Sequence, residues 1–172
     1  MFDGWIVRWF DGSRGGERCA FNYPTIQPSN HHLWGITDGS AGMQSQVQGV
    51  LEELGLPYTL KTCSRRAPWK WLPVSCWHAA LRQLTHESDA LEAPWPAAVI
   101  TSGRRSAALG LAVKDASSGA TKAIHLTDPR GARDQFDLIA AMTHDGVAGA
   151  NIISTDLALH RITKTMLEQA RV

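Results

Sequence analysis

Residues 34–54 read WGITDGSAGMQSQVQGVLEEL. Leu33–Thr37 is a short apolar run of the length and composition of a strand. A turn of small and polar residues follows, Thr37-Asp38-Gly39-Ser40-Ala41-Gly42. Beyond it Met43, Val47, Val50, Leu51 and Leu54 recur at spacings of four, three, one and three, which puts them on one helical face. Gly55 and Pro57 end that helix. The stretch is therefore a strand–turn–helix unit. Its turn carries one carboxylate and two hydroxyls where the chain leaves a strand.

The same alternation continues downstream. Tyr58–Cys63 predicts a second strand, Trp77 to Leu84 a short helix, and Glu92–Pro96 a linker. Ala97–Thr101 predicts a strand, with a helix carrying Ala107, Ala108, Leu111 and Ala112 after it. Lys122–Leu126, Phe136–Ala140 and Asn151–Ser154 predict three more strands, and Thr163–Arg171 a closing helix. Strands alternating with helices argue for an α/β fold: a Rossmann-like parallel sheet with helices on both faces, its connections right-handed. Residues 1–31 lack either period and carry Gly15-Gly16, Pro24 and Pro28. They read as an irregular, weakly ordered extension before a domain of residues 32–172.

Bulk properties exclude several classes. The 172 residues carry a formal net charge of +1, so nothing in the total favours nucleic acid or an anionic membrane. No apolar run reaches the roughly 18 residues of a transmembrane span, and Asp3, Arg8 and Asp11 break up any signal-peptide core. The three cysteines, Cys19, Cys63 and Cys76, form no metal-binding or disulfide pattern and suit a reducing cytoplasm. The carboxylates do not cluster, so no metal is implied, and no cofactor motif is present.

In a parallel sheet, ligands bind beyond the carboxyl ends of the strands. Here those ends are followed by TDGSAG, SGRRS, TDPRG, MTHDG and TDLALHR. The first turn, with Asp38, Gly39, Ser40 and Gly42, is no dinucleotide fingerprint, P-loop or nucleophile elbow. It suits close approach of a ligand to the backbone, or a tight turn capped by Ser40. Ser102-Gly103-Arg104-Arg105 sets two guanidiniums at a helix start, where the helix dipole disfavours cations; a bound phosphate would resolve the conflict, and the plain alternative is two solvated arginines or a pair with Asp128. Asp128-Pro129-Arg130 makes a rigid corner. His144 beside Asp145 offers a general base, and His160-Arg161 a second basic group or a helix entry. His31-His32 lacks the spaced partners of a metal site.

Taken together, WGITDGSAGMQSQVQG (34–49), WKWLP (69–73), PWPAAVITSGRRSA (94–107), TDPRGARDQFDLI (127–139), HDGVAGANIIST (144–155) and LHRIT (159–163) resemble the mitochondrial fission (elongated mitochondria) family. The resemblance covers residues 33 to 172. Met43 stands where that family usually has Asn, Met142-Thr143 where it has Pro-Glu, and Leu157 where it has Gly.

The resemblance implies the N-terminal, acceptor-side half of a GT-B-like sugar transferase, cytoplasmic or peripheral to a membrane, and inactive without a C-terminal domain. It implies a nucleotide-sugar or a sugar acceptor as ligand. Asp38 or His144 would deprotonate the acceptor. Gly39, Ser40, Gly42, Ser102, Gly103, Arg104, Arg105, Asp128, Arg130 and Asp145 would bind substrate or its phosphate. Two other functions are compatible with it. One is a non-catalytic interaction module anchored by the tryptophan-rich residues 65–77, as in the plant relative that recruits a dynamin-like fission protein. The other is a nucleoside-diphosphate-sugar epimerase, against which the missing dinucleotide fingerprint argues.

Overall fold

Among the described residues six short strands lie parallel in one sheet, in the order β2-β1-β3-β4-β5-β6. They are β1 (Leu33–Thr37), β2 (Tyr58–Thr62), β3 (Ala98–Ser102), β4 (Lys122–Leu126), β5 (Leu138–Met142) and β6 (Ile152–Thr155). The computed structural model describes residues 32–64, 66–67 and 80–156. The predicted extension, the residue 65–77 stretch (apart from residues 66 and 67), His160-Arg161 and the closing helix lie outside the described residues.

Among the described residues two α-helices cover the sheet. Helix α1 (Ala41–Leu54) follows β1, and α2 (Arg104–Ala116) follows β3. Side chains alternate across a strand, so each strand feeds two cores. On the α1 face Leu33, Ala98, Ile100, Ile124, Leu126, Leu138 and Ala140 meet Val47, Val50 and Leu51. On the other face Trp34, Ile36, Val99, Ala123, Ile139 and Ala141 meet Ala107, Ala108, Leu109, Leu111 and Val113 of α2. Burial on both faces explains why β1 and β3 are buried at every position, as central parallel strands require. Each fully buried Leu or Ile contributes about 1.5–3 kcal/mol, so these two layers are the main stabilising term.

The helices approach closely where the sheet has no side chain. A Cβ on Gly35 would lie 2.6 Å from a Leu51 methyl and 2.7 Å from a Val47 methyl. The helix α1 stripe seen in the sequence thus fits into a notch that glycine leaves in β1.

Several expectations shift. The strand expected at Phe136–Ala140 runs from Leu138 to Met142. Phe136 instead packs against the His125 ring, with centroids 5.2 Å apart. Asp137 turns its carboxylate back to the N–H of Ala123 (2.9 Å) and to Lys114 (2.8 Å). These two side chains leave the pleat before the ladder begins. The strands expected at 97–101 and 151–154 each begin and end one residue later, and the second strand stops at Thr62. The short helix expected from Trp77 to Leu84 is, over its described part, a single 3-10 turn at Ala80–Gln83. The linker expected at 92–96 is a packed connector: Pro96 is buried, and Trp95 meets Trp34 edge-on at 6.0 Å.

Strand order locates the switch point of the sheet. From β1 the chain moves outward to β2 under α1, then returns past β1 to β3 and continues the other way under α2. The direction of winding reverses between β1 and β3, and the two helices leave on opposite faces. The carboxyl ends of these strands mark the topological switch point, which we call the β1–β3 crevice, the position at which doubly wound sheets of this order hold ligands.

Candidate functional site

The β1 side of the crevice is a self-bonded turn. Asp38 Oδ1 accepts hydrogen bonds from the Ser40 N–H (3.1 Å) and the Ser40 hydroxyl (2.7 Å). Gly39 sits at φ +83°, a conformation that suits glycine. Ser40 is the N-cap residue of α1 by backbone position, but its side chain makes no capping hydrogen bond. Its hydroxyl has been drawn back to the carboxylate. Gly42 lies in the first turn of α1, with open space where a Cβ would be.

The β3 side is built from Ser102, Gly103, Arg104 and Arg105. Ser102 ends β3 and is buried. Gly103 at φ +81° turns the chain into α2, whose first residue is Arg104. Arg105 reaches across the crevice, its Nη1 lying 3.4 Å from Asp38 Oδ2. Its side chain is 68% exposed against 18% for Asp38. An exposed pair of that length holds weakly, so Arg105 is free to exchange partners. Arg104 is exposed and has no partner among the described residues.

Burial raises the proton affinity of Asp38. The Ser40 hydroxyl and N–H and the Arg105 charge together outweigh it, and hold the carboxyl below its ordinary value. Asp38 is therefore an ionised acceptor at neutral pH.

Asp128, Arg130, His144 and Asp145 also follow strand ends on this edge of the sheet, but farther along it. Asp128 is engaged by Arg133, through Nε to Oδ1 and Nη2 to Oδ2, each at 2.8 Å. Its Oδ1 also accepts from the Arg130 N–H at 3.0 Å. These bonds, led by Arg133, hold its carboxyl below the usual range against the opposing effect of burial. The pairing of Arg104 or Arg105 with Asp128 that the sequence left open is not made. Arg105 faces Asp38, and Asp128 belongs to Arg133, only five residues away. The 127–132 corner carries positive φ at Thr127, Arg130 and Ala132, so the fork braces a strained loop.

His144 Nε2 lies 3.8 Å from Asp145 Oδ1, and its side chain is 70% exposed. The other Asp145 oxygen accepts from the Met142 N–H at 3.2 Å, so Asp145 closes its own turn rather than orienting a base. Between the Asp38 strand and the His144 strand lie three strand spacings of about 4.8 Å, roughly 14 Å in all. Asp38 and His144 share an edge of the sheet but follow strands that are not neighbours. The predicted residues thus fall into a β1–β3 group around Asp38 and Arg105 and a β4–β5 group around Asp128 and His144.

Three residues at these sites were not singled out for them from sequence. Gln46 and Met43 of α1 touch Ser102, with Oε1 2.6 Å and Sδ 3.2 Å from its hydroxyl. Arg133 supplies the fork to Asp128. The helical period placed Met43 with the core stripe, and nothing local marks Gln46. An Asp–Arg spacing of five in a glycine-bearing corner was the available signal for Arg133. Among the described residues no three His, Cys, Asp or Glu side chains converge as a metal site would need. No helix among them is long and apolar enough to cross a membrane.

Comparison with known proteins finds one family model, described as Mitochondrial fission ELM1, that matches residues 41–172. No curated protein and no solved structure matches the chain.

Proposed function

Because this chain belongs to the mitochondrial fission ELM1 family, we propose that its β1–β3 crevice is the acceptor-side face of a sugar-transferase cleft of the two-domain, GT-B-like kind. The observation that carries this reading is the Asp38–Arg105 pair, 3.4 Å apart across the point where the sheet reverses its winding.

In this reading Arg105, with Arg104 beside it, takes the phosphate oxygens of a nucleotide-sugar. A guanidinium matches phosphate in charge and in the fork of its donors. Taking Arg105 away from Asp38 removes one of the influences that depress the carboxyl. Asp38 then becomes more basic at the moment substrate arrives. It accepts the proton of the acceptor hydroxyl as that oxygen bonds to the anomeric carbon. The bond from that carbon to phosphate breaks, and the diphosphate leaves with the electron pair, its charge met by the two arginines. The three strand spacings that separate Asp38 from His144 favour Asp38 as the base in this reading.

Calorimetric titration with uridine diphosphate tests the proposal. The parent protein should bind it, and Arg104→Ala/Arg105→Ala should lose the heat of binding while keeping its fold by circular dichroism. Equal binding by the two proteins would remove the arginines, and with them this reading of the crevice.

A further inference from the structure

The hydroxyl of Ser102 has an unusual set of neighbours for a buried polar group. The residue is 1% exposed. Its Oγ donates to Gln46 Oε1 at 2.6 Å, which uses its one proton. A serine oxygen also has lone pairs to offer. On its other side sits the Met43 sulfur, 3.2 Å away, and a thioether has no proton to give. The accepting capacity of Ser102 thus faces a group that cannot use it.

Met43 covers more than this hydroxyl. A Cβ added to Gly103 would lie 2.9 Å from the Met43 sulfur and 3.3 Å from its Cγ. The thioether therefore rests on the Gly103 backbone, where β3 turns into α2. Met43 is only partly buried, so the cover lies at the surface of the fold rather than in the core. Methionine is unbranched, with three rotatable side-chain bonds, and repacks readily.

We propose that Met43 is a movable cover over Ser102, and that a sugar hydroxyl takes its place by donating a hydrogen bond to Ser102 Oγ. The proposal rests on the reading of the crevice as a sugar-transferase face. It adds the chemistry of the subsite: the free valence of Ser102 calls for a donor, which a sugar hydroxyl is and a fully ionised phosphate oxygen is not. It also revises the part of Ser102 and Gly103. They do not face an incoming phosphate directly; they lie beneath a side chain that has to swing aside first. Asp38 and Arg105 would hold the ligand at the rim, and Ser102 would recognise a hydroxyl one layer deeper.

The experiment measures dissociation constants of glucose 1-phosphate and of sulfate, an anion with no proton to donate near neutral pH, for the parent, Met43→Ala, Met43→Leu and Met43→Ala/Ser102→Ala. Removing the cover should tighten glucose 1-phosphate by about three- to tenfold, the value of one hydrogen bond gained. Sulfate should bind the parent and Met43→Ala alike. Met43→Leu should behave as the parent, and the double variant should lose the gain. In the parent, the Met43 methyl resonance should move with glucose 1-phosphate and not with sulfate, a readout that needs no substitution. If both ligands bind but Met43→Ala changes neither, and the methyl stays still, the cover is overturned while the crevice stands as an anion site. If neither ligand binds any variant, the cover and the sugar-transferase reading fall together.

Discussion

His125 Nδ1 and Thr101 Oγ1 lie 2.7 Å apart, on residues that face each other in register across β4 and β3. The threonine hydroxyl is also 3.2 Å from the Ile124 carbonyl. In the Nδ1–H tautomer the hydroxyl donates to that carbonyl and accepts from the ring, and Nε2 is the bare nitrogen. Nε2 is buried without a partner among the described residues. A charged ring would bury a second N–H with nothing to receive it. Burial pushes the His125 pKa down to about 3, against a small upward pull from Asp128.

Acid stability follows from that pair. The unfolded chain binds the His125 proton near pH 6.5 and the folded protein near pH 3. A folded-state pKa below the unfolded one adds stability that is complete above pH 6.5 and disappears as pH falls toward 3. The melting temperature of the parent should therefore drop through this window. His125→Leu, which has nothing to protonate, should show a shallower drop, so the variant gains on the parent as pH falls. Parallel curves for the two proteins would show that His125 is not the acid-sensitive group.

Gly35 should tolerate no side chain. Gly35→Val would drive atoms into Leu51 and Val47, both fully buried, where a Cβ already comes within 2.6 Å and 2.7 Å of their methyls. Overpacking of this kind costs about 1–3 kcal/mol or more, and a domain of this size should melt several degrees lower. Gly42→Ala, in open space on the same helix, should melt at or above the parent temperature. Differential scanning calorimetry of the two variants checks both signs.

Asp137→Ala should lower stability without touching ligand binding. Its carboxylate accepts from the buried Ala123 N–H and pairs with Lys114 and Lys122, at the end of the sheet opposite the crevice. Leaving that N–H unmet costs about 1–3 kcal/mol. Urea unfolding should show the loss. Titration with uridine diphosphate should give the parent's affinity.

Much of this architecture was legible in the sequence, and the reasons differ by element. β1 and β4 stood out with their observed limits because apolar runs end abruptly at polar turns. β5 was read two residues early because Phe136 has the character of a strand residue but is spent on His125. That most of the polar motifs follow strand ends comes from the period alone; which of them meet does not. Arg105 and Asp38 are 67 residues apart, and only the strand order makes them neighbours. The same order sets His144 apart from Asp38, although both follow strands. Met43 fitted the helical stripe so well that its contact with Ser102 left no mark in the pattern.

Whether the crevice between β1 and β3 receives the phosphate of a nucleotide-sugar at Arg105 is tested most directly by a titration of the nitrogen-15-labelled protein with uridine diphosphate, followed amide by amide. The account predicts saturable shifts at Gly39, Ser40, Gly103, Arg104 and Arg105, and still resonances at Gly119, Lys122 and Ala123 on the opposite edge. Shifts confined to that opposite edge, or none at millimolar ligand, would contradict it.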